Sequence, residues 1–358
     1  MQGKSTLADF LIKEWLLLAS AAGFLLTSLY VAHLPSYSLD EIEVLAILFT
    51  LFVAVKGLER CGFIENISNR LEKGKWIPLK LVLATFFLSM LITNDAALIV
   101  IIPLTLALNV ERKDILIILE ALAANAGSAL TPFGNPQNLY IYWFYRLKPL
   151  TFITEIAPYS LVFLILLSIA SLLVKNENNI SSQKTTVKIN KKSAVYVILI
   201  ILVLLAVLRL LPVTVIAVVP LYVLLFDRKS LQVDYALLFS LFFFFGLADN
   251  MKALLAVEVS HSEHVFIFSA LASQFLSNVP VALLFANFTT KWQALLWGTN
   301  AGGFGSLFGS IANLIAYKLY VNHKNINNSA VFTIKFLALG YISFFISIGL
   351  YFLVKNII

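Results

Sequence analysis

Two stretches of this chain decide its fold when set side by side: "NAGSALTPFGNPQNLYIY", residues 125–142, and "NAGGFGSLFGSIANLIAY", residues 300–317. They align without gaps and share eight of 18 positions, namely Asn125/Asn300, Ala126/Ala301, Gly127/Gly302, Phe133/Phe308, Gly134/Gly309, Asn138/Asn313, Leu139/Leu314 and Tyr142/Tyr317. Random pairing of ordinary compositions gives roughly one match, so the chain contains an internal duplication. Gly, Ser and Pro interrupt both stretches, and such residues do not sustain a helix interior. Each stretch reads as a helix broken midway.

The solvent around these breaks follows from composition. Of the 358 residues, 60% are hydrophobic and 13% charged, and the mean hydropathy is +0.90. Soluble domains lie nearer half apolar and about one quarter charged. Trp15 to His33, Ile156 to Val174 and Val331 to Val354 each exceed the roughly 18 apolar residues that mark a membrane span. The chain is therefore an all-α polytopic membrane protein. Its net charge of +7 reads as basic residues flanking spans, and no nucleic-acid partner is expected. Lys4 and Lys13 precede a long apolar run with no small-residue cleavage site behind it, so no signal peptide is expected. Cys61 stands alone, which excludes an internal disulfide.

Before each broken helix comes a pair of short apolar runs meeting at polar residues. In "LITNDAALIV", residues 91–100, Asp95 is separated from Lys80 by fourteen uncharged residues and from Glu111 by fifteen. The second pair meets at Ser277-Asn278. Runs of about 12 to 14 residues cannot cross a core about 30 Å thick at about 1.5 Å per residue. Each pair is expected to form a re-entrant hairpin with its tip at mid-membrane, where bare backbone is tolerated only inside protein or beside a wet cavity. Asn or Asp at the tip is expected to cap the half-helix that follows.

The resulting plan has about nine transmembrane spans, two re-entrant helical hairpins and two broken helices. Residues 1–175 form the first half (hairpin 81–109, broken helix 114–147). Residues 176–192 form a cytoplasmic linker, and 193–358 form the second half (hairpin 264–290, broken helix 292–323). Five crossings separate equivalent spans, so the two repeats are inverted, as in secondary transporters. With the N-terminus cytoplasmic and the C-terminus outside, eighteen Lys and Arg fall at inner span ends and six at outer ends, in line with the positive-inside rule.

Two tips and two breaks are expected to converge on one solute and ion site. Its members are Thr93, Asn94, Asp95, Asn125, Thr131, Gly134, Asn135 and Asn138 from the first half. The second half gives Ser277, Asn278, Asn300, Ser306, Gly309, Ser310 and Asn313. Unwound backbone offers carbonyls to cations, and half-helix N-termini offer N–H groups to anions. Na⁺ is expected near Asn94, Asp95 and Gly134. Asp95 and Glu120 are the candidate proton-coupling residues, because intramembrane acids are functional-site candidates by default; a helix cap for Asp95 and an ion pair with a neighbouring Lys for Glu120 are the alternatives.

"TNDAALIVIIPL", "GSALTPFGNPQNLYIY", "SNVPVALLF" and "NAGGFGSLFGSIANLIAY" resemble the ion transporter superfamily. That group holds arsenite permeases, citrate-transporter-like proteins, divalent-anion/sodium symporters and D-type sodium/proton antiporters. The resemblance covers nearly the whole chain beyond about residue 40. It implies an ion-coupled secondary transporter in the cytoplasmic (inner) membrane, often a homodimer, working by alternating access on a small arsenite- or carboxylate-type solute. Divalent-anion relatives carry Ser-Asn-Thr at their tips. Thr93-Asn94-Asp95 here is closer to the arsenite and antiporter branches.

Three alternatives stand beside that reading: a sodium/proton antiporter using Asp95, a channel, and a membrane enzyme. No P-loop, GxSxG or HExxH motif is present, so no enzyme chemistry and no cofactor beyond the coupling ion, Na⁺ or H⁺, is expected. Glu258, His261, Glu263 and His264 have a metal-like spacing, but a solvated loop face is the expected reading. Glu59 and Asp249 are expected near span ends, while Lys56 lies deeper and can snorkel toward the inner face.

Overall fold

A computed structural model describes residues 14–32, 34–62, 75–108, 110–174, 192–254, 261–323 and 329–357. The expected linker, apart from Lys192, lies outside these residues, as do Glu258 and most of the basic stretch before Lys80.

Fifteen α-helices make up the described chain. The first half holds α1 (Trp15–Val31), α2 (Leu39–Arg60), α3 (Ile77–Ile92), α4 (Asn94–Ala107), α5 (Lys113–Ala129), α6 (Pro136–Phe144) and α7 (Pro149–Leu172). The second holds α8 (Lys192–Val207), α9 (Val218–Phe226), α10 (Tyr235–Leu254), α11 (Ser262–Leu276), α12 (Asn278–Ala286), α13 (Trp292–Gly302), α14 (Ile311–Val321) and α15 (Ser329–Ile357). Three are long and apolar enough to cross a membrane by themselves: Pro149–Leu172, Tyr235–Leu254 and Ser329–Asn356. Several more are apolar helices of 10–17 residues.

Local chemistry explains the boundaries. Ser38 and Glu41 form a reciprocal capping box at the start of α2. Pro78 opens α3 and Pro136 opens α6, positions where the missing N–H would have no partner. Each half-helix pair turns on a single residue with positive φ, Thr93 at 96° and Ser277 at 70°. Neither is glycine, so each conformation is held by its surroundings at a cost of about 1–3 kcal/mol.

The two halves pack alike. α3 lies along α5, and α11 lies along α13. Across the halves, α4 packs on α14 and α12 packs on α6, so each pair's second helix seats against the other half's resumed helix. α7 runs against α3, α5, α13 and α15. There Tyr159, Phe163, Phe304 and Trp297 form a continuous buried aromatic cluster. Its Tyr159 hydroxyl donates to the Asn300 carbonyl at 2.9 Å, fixing the broken helix of the second half.

Candidate functional site

The turn at each tip is pinned to the break of its own half. The Asn94 backbone N–H donates to the Gly134 carbonyl at 3.1 Å, and the Asn278 N–H donates to the Gly309 carbonyl at 3.0 Å. Thr131 donates its hydroxyl to the Met90 carbonyl, and Ser306 donates its hydroxyl to the Gln274 carbonyl, the equivalent bond. The expected capping needs correction. Thr93, not Asn94 or Asp95, is the residue before α4, and its hydroxyl accepts from the Ala96 N–H. Ser277 precedes α12 and makes no side-chain cap. Asn94 is already inside its helix, and its Oδ1 accepts only from the Asp95 N–H. Asn135 and Ser310 are caps as well, starting α6 and α14 by accepting from the N–H groups of Asn138 and Ala312.

Between the breaks, asparagines of the two halves exchange reciprocal bonds. Asn125 Nδ2 donates to Asn313 Oδ1 at 2.8 Å, and Asn300 Nδ2 donates to Asn138 Oδ1 at 2.8 Å. Since Asn125 is equivalent to Asn300 and Asn138 to Asn313, one interaction has been made twice. Asn94 joins by donating to Asn125 Oδ1 at 3.2 Å. Asn278 reaches the same place: a Cβ placed on Gly303 would stand 3.1 Å from its Nδ2 and 3.7 Å from Asn125 Oδ1. Both tips and both breaks therefore meet in one cluster, whose six asparagines are all buried. A cluster of neutral amides, hydroxyls and freed carbonyls can bind hydroxyl-bearing or cationic solutes without an opposing charge.

Asp95 stands beside this network rather than in it. It lines a cavity of about 420 Å³ that also touches Thr93, Ile99, Phe52, Leu314 and Ile315. The charged residues Glu14, Lys56, Glu59, Asp234 and Lys318 border the same cavity. Asp95 Oδ1 is buried without a hydrogen-bond partner among the described residues. Lys56 and Glu59 pair at 3.0 Å, and Asp234 Oδ1 accepts from the Leu237 N–H. Asp249, expected at a span end, holds the Ser36 N–H at 2.9 Å.

Gln274 was not legible as a site residue. Its amide donates to the carbonyls of Gly302 and Phe304 and accepts from the Ser306 N–H, filling the break of the second half. Its only sequence signal was an amide in an apolar run. Glu120 is fully buried and held by the Thr105 hydroxyl rather than by a lysine. Of the metal-like group, Glu263 pairs with Lys355, whose hydrogen bond and charge hold its carboxyl below the usual range. His261 and His264 face each other at 5.3 Å. No metal-binding group of three or more side chains occurs among the described residues.

An all-helical protein rich in apolar helices, with a duplicated buried polar core and a cavity beside it, has the construction of a membrane transporter. Comparison with known proteins gives the family: residues 10–298 match the citrate transporter family, CitMHS, and the chain belongs to it. An uncharacterised transporter of Methanocaldococcus jannaschii is 34% identical over 283 residues, which cover 76% of this chain and 79% of that protein. The inner membrane protein YbiR of Escherichia coli is 32% identical over 292 residues, 75% of this chain and 77% of its own. A silicon efflux transporter of Oryza sativa subsp. japonica is 31% identical over 131 residues, 34% of this chain and 27% of its length.

Proposed function

We propose that the protein is an ion-coupled secondary transporter of the cytoplasmic membrane that carries a small oxyacid or anion. The observation that supports it is the asparagine cluster built by both halves, with a carboxylate beside it at a cavity. In this reading the short helix pairs α3–α4 and α11–α12 are re-entrant, nine spans cross the bilayer, and the N-terminus is cytoplasmic. The asparagine cluster binds the solute, Asp95 takes the coupling proton or shares in holding Na⁺, α2 belongs with the site, and α1, α7, α8, α9 and α15 form a scaffold in a protein of two copies. The cavity carries Lys318 and Lys56 on its border, and in this reading those basic residues put it on the cytoplasmic side.

The chemistry of the cluster narrows the solute. It holds no Arg or Lys, so a polyanion would rely on the N–H groups that open α4 and α12. Small neutral polyhydroxy acids of the arsenite or silicic acid kind need no cation. One relative is named for silicon efflux, and the family is named for citrate. Both classes belong in the test.

Liposomes bearing the purified protein would be offered arsenite, silicic acid, citrate, succinate and sodium, each with and without a pH gradient. Gradient-driven accumulation of one of the first four is expected, and Asp95→Asn should abolish it. If no solute accumulates uphill, or Asp95→Asn accumulates it as well as the wild type, the reading fails. Because Asp95 Oδ1 has no partner among the described residues, a sodium/proton antiporter is the second reading; proton release on adding sodium alone, lost in Asp95→Asn, would favour it.

A further inference from the structure

Glu120 is the one ionisable group buried at 0% exposure among the described acids. It accepts from the Thr105 hydroxyl through Oε1, while Oε2 is buried with no partner. Among the described residues no cation pairs with it. The elements packed on α5 are α3, α4, α7, α13, α14 and α15. Their charged groups are engaged or distant. On α5 itself, Lys113 donates to the Leu106 carbonyl, and Asp114 pairs with Lys335 of α15. Lys355 of α15 pairs with Glu263, and Glu155 of α7 accepts from Trp297. Lys318 of α14 borders the cavity, and Lys80 lies near the start of α3. Asp95 is ten residues from Thr105 along α4, about 15 Å at about 1.5 Å per residue.

An unpaired carboxylate in such surroundings costs several kcal/mol, so Glu120 holds its proton in this conformation. A space-filling role does not require an acid. Leu295, at the equivalent place in the second half, is equally buried and leaves no polar atom unsatisfied. The helix that holds Glu120 also reaches the cavity, at Asp95, Ala96 and Ile99. Thr105 follows Pro103, which stands inside α4 and cannot bond the carbonyl of Ile99. Ile99 lines the cavity and is 46% exposed. The helix that carries Thr105 and borders the cavity at Ile99 thus lacks one backbone hydrogen bond. On the other side, Asn125 lies five residues along α5, about 7.5 Å away.

We propose that Glu120 is a second proton-binding site of this carrier, loaded and unloaded through the gap that Pro103 leaves in α4. It rests on the reading of the cavity and Asp95 as the coupling side of a transporter. The proton comes from cavity water to the carboxylate and returns to water, and no other bond changes.

The test needs no solute. Infrared pH-difference spectra of the protein in lipid vesicles should contain a protonated-carboxyl C=O band at neutral pH. That band is lost in Glu120→Gln and kept in Asp95→Asn. It should shift in D₂O and vanish on alkalinisation. Glu120→Leu, which copies the second half, should lose the same band and keep the wild-type melting midpoint. Identical spectra in wild type and Glu120→Gln would overturn the proposal. So would a band that neither exchanges in D₂O nor bleaches in alkali, because that describes a sealed structural acid. An uptake panel without proton-driven flux would refute the transport reading instead, and these spectra would still decide on Glu120.

Discussion

Asn138 shows what one buried amide accomplishes here. Its Oδ1 accepts from Asn300, and its Nδ2 donates to the carbonyls of Ser128 and Ala129, freed where the helix breaks. Leaving any of these partners unsatisfied costs about 1–3 kcal/mol, so the amide holds the break open and joins the halves at once. Polar residues at the protein's edge act differently. Asp227, between α9 and the next turn, would be pushed up by burial alone. Hydrogen bonds from Tyr196 and Ser230, with the charges of Arg60 and Lys192, outweigh this and hold its carboxyl below the usual range. A lowered folded-state pKa stabilises above the unfolded value, near 3.9, and that contribution is lost as pH falls through the folded value. Asp227→Asn should therefore lower stability at neutral pH by about 1 kcal/mol and flatten its loss below about pH 4. Melting midpoints from pH 7 downward would show it, and parallel curves for both proteins would count against it. At this scale the asparagines were legible because an amide in oil has few innocent explanations. Gln274 and the Thr105–Glu120 pair were not, because their partners lie 15 to 32 residues away.

Helices carry the next level of the design, and their limits were readable where Pro, Gly and Ser cluster. The start of the first short pair was less so: α3 begins at Ile77, four residues before the expected 81, because Pro78 starts a helix as well as it stops one. The direction of capping was also hidden, since choosing Thr93 over Asn94 depends on the positive φ of Thr93. Close approach of α3 and α5 depends on Gly127. A Cβ there would stand 2.2 Å from the Phe86 carbonyl oxygen and 2.6 Å from Ser89 Oγ. Backbone cannot yield as a side-chain tip can, so Gly127→Ala should cost about 1–3 kcal/mol. Gly349→Ala, with nothing within 4 Å, is the control and should melt like the wild type. Equal midpoints for both variants would mean that the two helices do not approach so closely.

For the molecule as a whole, the duplication does more than repeat a fold. Each half alone would leave Asn125 or Asn300 pointing into oil, and each instead finds its partner in the other half. The shared identities at 125–142 and 300–317 made this convergence legible, but which amide bonds which was not, because spacing does not give distance across a bundle. The acids break the equivalence: Asp95 faces Val279 in the alignment, and Glu120 faces Leu295. In the proposed reading, coupling chemistry thus falls to the first half, while the solute site belongs to both. A double-mutant cycle on Asn125→Ala and Asn313→Ala, read from unfolding free energy in lipid, tests that joint site most directly. The two residues should couple by about 0.5–3 kcal/mol, the double variant losing less than the two single ones together. Losses that simply add, within about 0.5 kcal/mol, would mean that the halves do not meet at these amides.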